Sequence, residues 1–308
     1  QNLSADPSNP IEGQVWYNST SNVWKVEEAT TAGAWATGNN MNTARYGLAG
    51  AGLQTATVAF GGYTGSNTGA TEEYDGTSWA NNPTGLNNAR RGLAGAGTQT
   101  AGLAFGGYTD AVTGATEEYN GSTWTSNPTG LNTARYVIAG TGTQTAGLAF
   151  GGVTTVTVGA TEEYDGSTWT TSPPGLNTIR YGSAGAGIQT AALGFGGYTG
   201  TAYTGSTEEY NGSTWATSAG SLNLARSFLS GGGTQTAGLA FGGDTPITGS
   251  TEEYDGNSWT TSPASLNTAR SEGAGAGIQT SALAFGGTGT TPPYSAATEE
   301  WTGAGAPL

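Results

Sequence analysis

The chain of 308 residues contains six copies of one pattern, and the sixth copy lacks its last segment. Each copy begins with an arginine and continues through Phe-Gly-Gly to Thr-Glu-Glu-aromatic, and five copies then reach a tryptophan. The sixth stops after Glu300 and Trp301, whereas a match to its missing tryptophan segment lies upstream, at residues 33–37. Successive arginines lie 45, 45, 45, 46 and 44 residues apart, at Arg45, Arg90, Arg135, Arg180, Arg226 and Arg270.

The divided sixth copy decides between two architectures. A period of about 45 residues suits a solenoid or a β-propeller with four-stranded blades. An open solenoid has no reason to divide one repeat between its two ends. A ring has one, because an N-terminal strand paired into the last blade joins the ends by backbone hydrogen bonds. The sequence therefore predicts an all-β fold, a six-bladed propeller closed by a strand around Trp35. The predicted domains are an N-terminal linker or β-hairpin over residues 1–29 and the propeller over residues 30–308.

Turn signals divide each copy into four predicted strands. In the first copy these are residues 46–52, 55–60 and 70–74, followed by an outer strand around Trp79. Gly and Ala dominate the first strand, which lets six copies approach one another near the ring axis. The fifth copy has Phe-Leu-Ser at residues 228–230, so we expect its inner strand to pack differently.

Composition excludes several classes of chemistry. The chain has no cysteine and no histidine, so it lacks disulfides, thiolate metal sites and the commonest general base. Its net charge of −14 opposes binding to nucleic acid and to anionic membrane surfaces. Only Lys25 and Arg91 are basic outside the repeat arginines, so no basic patch can form. No apolar run reaches 18 residues, which predicts no membrane insertion.

The repeat resembles the kelch repeat. In that family a Gly-Gly pair ends the second strand, a Tyr lies on the third and a Trp on the fourth, and an Arg precedes the next first strand. The first copy matches with Arg45, Gly61-Gly62, Glu72, Tyr74 and Trp79, and the resemblance covers roughly residues 30–303. It implies the propeller fold but no activity, because such propellers include enzymes, adaptors and structural proteins. The copper-containing galactose oxidase type needs histidine and tyrosine–cysteine chemistry, which this chain lacks.

A second resemblance concerns residues 9–25. This segment is similar to a short hairpin that recurs in tail-fibre and other virion proteins of tailed bacteriophages, with Trp16, Tyr17 and Trp24 around an Asn-Ser-Thr-Ser-Asn turn. The resemblance implies an extracellular or virion location and other virion proteins as partners.

The repeated glutamate pair favours a structural role over a catalytic one. Adjacent strand residues point to opposite faces, so Glu72 and Glu73 cannot bracket one glycosidic bond. The pair also recurs six times, whereas a catalytic site is normally a single constellation. A sialidase would need its arginines clustered, but the ring spreads them. We expect the first glutamate of each copy to pair with the repeat arginine. The other predicted structural residues are Glu117, Glu162, Glu208, Glu252, Glu299, Trp124, Trp169, Trp215 and Trp259.

The loops that follow each Gly-Gly vary while the strands hardly change. We expect them to share one loop-rich face with the connections between blades, because the other face has only tight turns. The candidate binding residues in these loops are Tyr63, Tyr108, Asp110, Tyr198, Tyr203, Asp244 and Tyr294. Aromatic planes among neutral polar groups suit sugar rings and also many protein partners. The alternative is that these loops simply drift and the tyrosines cap the blade ends.

No cofactor is predicted. Calcium stays open because oxygen ligands suffice for it, but the sequence names no ligand set, and turn chemistry accounts for Asp75 and its equivalents. The sequence favours a non-enzymatic binding or structural propeller, a component of a phage tail fibre or virion appendage that recognises a host-surface glycan or protein. The alternatives are a secreted bacterial lectin or adhesin and, third, a glycosidase.

Overall fold

A computed structural model describes residues 2–3, 15–20, 22–26, 33–289 and 293–304. These residues form 27 strands and no helix that could cross a membrane. The first three strands form a small sheet: β1 Asn2–Leu3, β2 Val15–Asn18 and β3 Val23–Val26. β2 and β3 are antiparallel, as the sequence predicts for this segment. The predicted domain boundary at residues 29–30 and the start of the phage-like segment, residues 9–14, lie outside the described residues.

The other 24 strands form six four-stranded antiparallel sheets, the blades. Blade 1 contains β5 Ala49–Leu53, β6 Ala56–Phe60, β7 Thr71–Tyr74 and β8 Trp79–Asn82; blade 2 contains β9 Ala94–Thr98, β10 Ala101–Phe105, β11 Thr116–Tyr119 and β12 Trp124–Asn127; blade 3 contains β13 Ala139–Thr143, β14 Ala146–Phe150, β15 Thr161–Tyr164 and β16 Trp169–Thr171. Blade 4 contains β17 Ala184–Ile188, β18 Ala191–Phe195, β19 Thr207–Tyr210 and β20 Trp215–Thr217; blade 5 contains β21 Ser230–Gly233, β22 Gly238–Phe241, β23 Thr251–Tyr254 and β24 Trp259–Thr261; blade 6 contains β25 Ala274–Ile278, β26 Ser281–Phe285, β27 Thr298–Thr302 and β4 Ala34–Thr37. The all-β six-bladed propeller predicted from the sequence is confirmed.

The N-terminal strand β4 completes blade 6. It pairs antiparallel with β27, and Trp35 lies opposite Trp301. Trp35 Nε1 also donates a hydrogen bond of 2.8 Å to Thr251 Oγ1 in blade 5. The outer-strand tryptophan of every other blade makes the same bond to the preceding blade, as Trp79 does to Thr298 Oγ1 at 2.9 Å. The displaced segment therefore takes both the strand position and the inter-blade bond of the missing one.

The inner strands are shorter than predicted. In blade 1 the strand begins at Ala49 rather than at residue 46, because Gly47 adopts a left-handed conformation with φ of 61° that interrupts the extended chain. Tyr46 forms only an isolated bridge to Tyr63. In blade 5 the inner strand has four residues instead of five, in line with the departure of that copy from the pattern.

The core lies between the blades. A phenylalanine from each second strand packs on the outer-strand tryptophan of the following blade, as Phe60 does on Trp124 with ring centroids 4.7 Å apart. A Cβ added at Gly50 would lie 2.4 Å from Cζ of Phe285, so the inner strands need glycine where these rings approach. The aromatic rings between the blades and the glycines of the inner strands therefore depend on each other, because the rings fill the space that the missing side chains leave.

Each repeat arginine forms a buried ion pair with the first glutamate of its copy, as expected. In blade 1, Arg45 Nη1 lies 2.6 Å from Glu72 Oε1, and neither side chain is exposed to solvent. Glu72 also accepts hydrogen bonds from the backbone N–H groups of Asn42 and Thr43. The same pairing occurs at Arg90–Glu117, Arg135–Glu162, Arg180–Glu208, Arg226–Glu252 and Arg270–Glu299.

The second glutamate of each pair links neighbouring blades. The hydroxyl of Tyr119 donates to Glu73 of blade 1, and the hydroxyl of Tyr254 donates to Glu209 of blade 4 at 2.8 Å. Five of the six blade boundaries have this bond. At the sixth, Trp301 replaces the tyrosine, and burial raises the pKa of Glu253. The Thr-Glu-Glu-Tyr motif is thus accounted for by packing within and between blades.

Candidate functional site

Six backbone hydrogen bonds form a closed circle around the propeller axis. The residue two positions after each repeat arginine donates its N–H to the carbonyl of the equivalent residue in the preceding blade. Gly92 donates to Gly47 at 2.7 Å, and Gly47 donates to Glu272 at 2.8 Å, which closes the circle between blades 1 and 6. The members of this axial ring are Gly47, Gly92, Val137, Gly182, Phe228 and Glu272.

All six ring residues have a left-handed backbone, with φ between 50° and 61°. Glycine adopts this conformation freely, whereas other residues pay a steric cost. Three of the six positions nevertheless carry side chains: Val137, Phe228 and Glu272. Strained residues of this kind concentrate at functional sites, and all three line the cavity above the ring.

The cavity above the ring opens on the loop-rich face and has a volume of about 490 Å³. This is within the usual size range of small-ligand pockets, about 300–1,000 Å³. We call it the axial bowl. Ring residues form its floor, and the residues directly after the repeat arginines and the loops of blades 3 and 4 form its wall. The aromatic and charged side chains that line the bowl are Tyr46, Arg91, Tyr136, Tyr181, Phe228 and Glu272.

Three tyrosines, Tyr46, Tyr136 and Tyr181, contribute aromatic faces to the wall. Tyr136 packs on Tyr108, and Tyr181 packs on both Tyr198 and Phe228, with ring centroids 5.4, 5.6 and 6.0 Å apart. Tyr46 packs on Tyr63 and Tyr294 on its own side of the bowl, at 5.4 and 5.5 Å. The bowl thus presents rigid aromatic surfaces that are supported from behind by a second layer of tyrosines.

Arg91 supplies a positive charge to the bowl. Its guanidinium lies 4.6 Å from the ring centroid of Tyr63 and 5.1 Å from that of Tyr108. Nη1 donates a hydrogen bond of 3.0 Å to Asn67 Oδ1. Among residues 33–289 and 293–304, Arg91 is the one basic side chain without an ion-pair partner within 4.0 Å. Its orientation is fixed by aromatic and amide contacts, and no carboxylate of the described residues lies within ion-pair distance of it.

Glu272 supplies a negative charge to the same cavity. Its side chain is half-buried and accepts no hydrogen bond from the described residues. Burial raises the pKa of Glu272, the nearby charge of Asp244 raises it further, and Arg91 lowers it. The carboxylate also acts on Tyr46, whose pKa is raised by burial and then by Glu272. Tyr46 is therefore a protonated hydrogen-bond donor near neutral pH rather than a phenolate nucleophile.

A smaller axial cavity of about 100 Å³ lies against the ring and is lined by the ring residues and those that follow them. Four of these following residues are aliphatic, whereas blades 4 and 6 carry Ser183 and Gly273. Ser183 is 8% exposed, and its Oγ has no hydrogen-bond partner in the described structure. Around the axis the blades thus differ in side-chain size, at Ser183 and Gly273, as well as in charge, at Glu272.

The predicted site residues surround the bowl rather than line it. Tyr63, Tyr108, Tyr198 and Tyr294 stand behind the wall, and Tyr203 packs against Tyr198 with centroids 5.3 Å apart. Asp244 acts on Glu272 through its charge. The side chain of Asp110 is exposed and contributes nothing to the bowl lining.

The lining itself was not predicted from the sequence. Tyr46 lies at the start of the predicted inner strand of the first copy, Tyr136 and Tyr181 occupy the equivalent positions, and Arg91 counts there only as a basic residue. A signal was present, because the two residues after each repeat arginine vary as strongly as the loops. The first of these positions reads Tyr, Arg, Tyr, Tyr, Ser, Ser and the second reads Gly, Gly, Val, Gly, Phe, Glu.

The hairpin-turn acids show turn chemistry. Asp75 Oδ1 accepts the backbone N–H groups of Thr77 and Ser78, both at 2.8 Å, and these bonds lower the pKa of Asp75. In the part of the chain that the structure describes, no three Asp or Glu residues form a group that could hold a metal ion.

Comparison with known proteins shows similarity at the level of the fold. A solved structure titled "Structure of YjhT" matches with a TM-score of 0.70 and 12% sequence identity, covering 84% of this chain and 95% of that chain. No family model matches the chain, and no curated protein matches its sequence. At this identity the match shows the fold alone, a six-bladed kelch-like propeller, and a specific function must be argued from the site.

Proposed function

We propose that this protein is a non-enzymatic binding propeller and that its axial bowl holds a saccharide. The observation that carries the proposal is a ligand-sized cavity at the axis, lined by Tyr46, Tyr136 and Tyr181, where the residues after the repeat arginines depart from the sixfold pattern. Aromatic faces pack against sugar rings, and the few polar groups among them fix orientation. The ring residues Val137, Phe228 and Glu272 keep a left-handed backbone there, although glycine would adopt it with less steric strain.

The electrostatics favour binding over hydrolysis. The raised pKa of Tyr46 keeps its hydroxyl as a donor for a ligand oxygen. One observation favours a glycosidase as a second candidate, since Glu272 has a raised pKa and lies near a second acid, Asp244. Against it, Asp244 lies outside the bowl lining, so the two carboxylates do not face one bound bond. Release of nitrophenol from chromogenic glycosides, abolished by Glu272→Gln, would favour the glycosidase instead.

The proposed setting is a phage tail fibre or virion appendage outside the host cell, with a host-surface glycan as the target. The support for it is the resemblance of residues 9–25 to a hairpin of such virion proteins, together with the antiparallel β2–β3 pair in that segment. A secreted bacterial lectin or adhesin is the alternative setting, and it uses the same bowl. Binding to intact bacterial cells of different surface glycan types would separate the host range of a fibre from a general lectin activity.

A glycan array with two matched sets of variants tests the proposal. We expect the wild-type protein to bind a defined group of saccharides, and Tyr136→Ala and Tyr181→Ala to weaken that binding at least about tenfold by removing the stacking faces. Asp110→Ala and Asp110→Asn change an exposed loop residue outside the bowl and serve as controls that retain binding. Absence of binding to any glycan or cell would refute recognition and leave a structural spacer. Equal losses in both sets would refute the bowl as the site.

A further inference from the structure

We propose that the ligand of the axial bowl is dipolar, a saccharide that carries both an ammonium group, held by Glu272, and an acidic group, held by Arg91. The inference rests on the proposed saccharide-binding function and names the chemical class of its ligand. The two charged side chains line one cavity of about 490 Å³, and they belong to blades 6 and 2 of the ring.

Two charged side chains of the described propeller take no part in the repeated contacts that hold the blades together. The six repeat arginines form buried ion pairs with six glutamates. Five further glutamates accept hydrogen bonds from tyrosines of neighbouring blades. Arg91 and Glu272 belong to neither set, and both line the axial bowl. Packing of the blades therefore does not account for them.

Arg91 is prepared for an acidic group. Its guanidinium is clamped by two tyrosine rings, and one bond to Asn67 leaves most of its five N–H donors without a protein partner in the described structure. A planar fork of this kind matches a carboxylate or phosphate in a two-bond arrangement. A fixed orientation reduces the entropy lost when such a group binds.

Glu272 is prepared for a cationic group. Its carboxylate is half-buried and without a hydrogen-bond donor in the described structure, which is costly for an ionised group in the absence of a partner. Its backbone is left-handed at φ of 54°, where three sibling positions carry glycine. The neighbouring charge of Asp244 adds to the negative potential at this wall. An ammonium donates up to three hydrogen bonds and would satisfy this carboxylate.

The two charges in one cavity explain why the ligand should carry both signs. A purely anionic ligand would meet the repulsion of Glu272 and of a chain with a net charge of −14. A purely cationic ligand would meet the repulsion of Arg91. Ser183, whose buried Oγ lacks a partner in the described structure, lines the smaller axial cavity together with Glu272 and adds a polar group that the blades do not use.

The test uses four probes that share one sugar ring and differ at the 2-amine and the 6-hydroxyl: glucosamine 6-phosphate, glucosamine, N-acetylglucosamine 6-phosphate and N-acetylglucosamine. Binding is measured by calorimetry or ligand-observed NMR at about pH 6.5, where an ordinary amine is protonated. We expect glucosamine 6-phosphate to bind at least tenfold more tightly than glucosamine or N-acetylglucosamine 6-phosphate, each of which carries charge of one sign only. Glu272→Gln should remove the preference for the amine over its N-acetyl form, and Arg91→Gln should remove the preference for the phosphate.

Asp110→Asn is the control, because it changes the net charge as Glu272→Gln does but lies outside the bowl lining; its binding should match the wild type. Melting temperatures of all three variants confirm that each is folded. Equal affinity for all four probes, unchanged in the glutamine variants, would overturn the dipolar assignment and leave saccharide recognition standing. Tighter binding of glucosamine than of its 6-phosphate would overturn it as well. If neither these probes nor the neutral oligosaccharides of the array bind, the proposed function itself fails.

Discussion

Replacement of Arg45 by methionine should cost this fold several kilocalories per mole. Arg45 and Glu72 are fully buried and 2.6 Å apart, and without the arginine the carboxylate keeps only the backbone N–H groups of Asn42 and Thr43. Breaking a buried pair by removing one partner costs about 3–5 kcal/mol, because the remaining charge is uncompensated. For a domain of this size each kcal/mol shifts the melting temperature by about 2–4 °C, so we expect a fall of roughly 6–20 °C.

The assay is thermal and urea unfolding followed by tryptophan fluorescence, with a double-mutant cycle. The double variant Arg45→Met/Glu72→Leu removes both charges, and its loss should be smaller than the sum of the single losses by about 1–3 kcal/mol. Arg180→Met is the matched control, since Arg180 Nη1 lies 3.1 Å from Glu208 and its Nε and Nη1 lack hydrogen-bond partners in the described structure. We expect a smaller loss there. An unchanged melting temperature for Arg45→Met, or strictly additive losses in the cycle, would refute the buried-pair account.

Three further predictions concern the contacts between blades and the axis. Glu209→Gln should lower the free energy of unfolding by about 1.5–3 kcal/mol, because the Glu209 carboxylate accepts a hydrogen bond from Tyr254. Glu253→Gln should leave the urea midpoint unchanged or raised, because burial raises the pKa of Glu253 and Trp301 takes the place of the tyrosine at that boundary. Equal losses in the two variants would contradict this assignment. Burial, with the bond to Glu163, raises the pKa of Tyr210 to about 12, and burial and Glu209 raise that of Tyr254 to about 12, against about 10 in the unfolded chain. Their contribution to stability is therefore full below pH 10 and lost as the pH rises towards 12, which melting curves across that range will detect; a constant melting temperature would speak against it. Ser183→Leu should stabilise the fold by about 1–3 kcal/mol, since it removes a buried hydroxyl without a partner in the described structure and adds the aliphatic group that Leu93 supplies in blade 2. The reverse change, Leu93→Ser, should destabilise the fold by about 2–5 kcal/mol. A loss of stability in Ser183→Leu would show that the space beside Ser183 is already filled.

The fold could be predicted from the sequence because its information is repeated and local. The alternation of Gly-rich and aromatic strands appears six times, and the displaced segment around Trp35 distinguishes a ring from an open solenoid. The pairing of Arg45 with Glu72 was also expected from the repeat. The bond between Glu73 and Tyr119 could not be predicted in this way, because Tyr119 lies in the next blade and only the ring geometry brings the two residues together.

The candidate site could be predicted only in part. The loop-rich face and its second layer of tyrosines, such as Tyr63 and Tyr198, follow from the variable loops. The lining does not, because Arg91 and Glu272 are 181 positions apart in the sequence and only the ring geometry brings them to one cavity. The left-handed backbone of Glu272 likewise comes from the bond of its N–H to the carbonyl of Phe228, and no local preference of glutamate favours that conformation.

The most direct test of recognition at the axial bowl is a crystal structure of the propeller with the saccharide that binds most tightly on the array. We expect the sugar ring to lie against Tyr136 or Tyr181, with polar groups within hydrogen-bond distance of Arg91 and Glu272 and above the axial ring. A saccharide bound at the face of tight turns, or on the outer strands of the blades, with the bowl containing only solvent, would contradict the account.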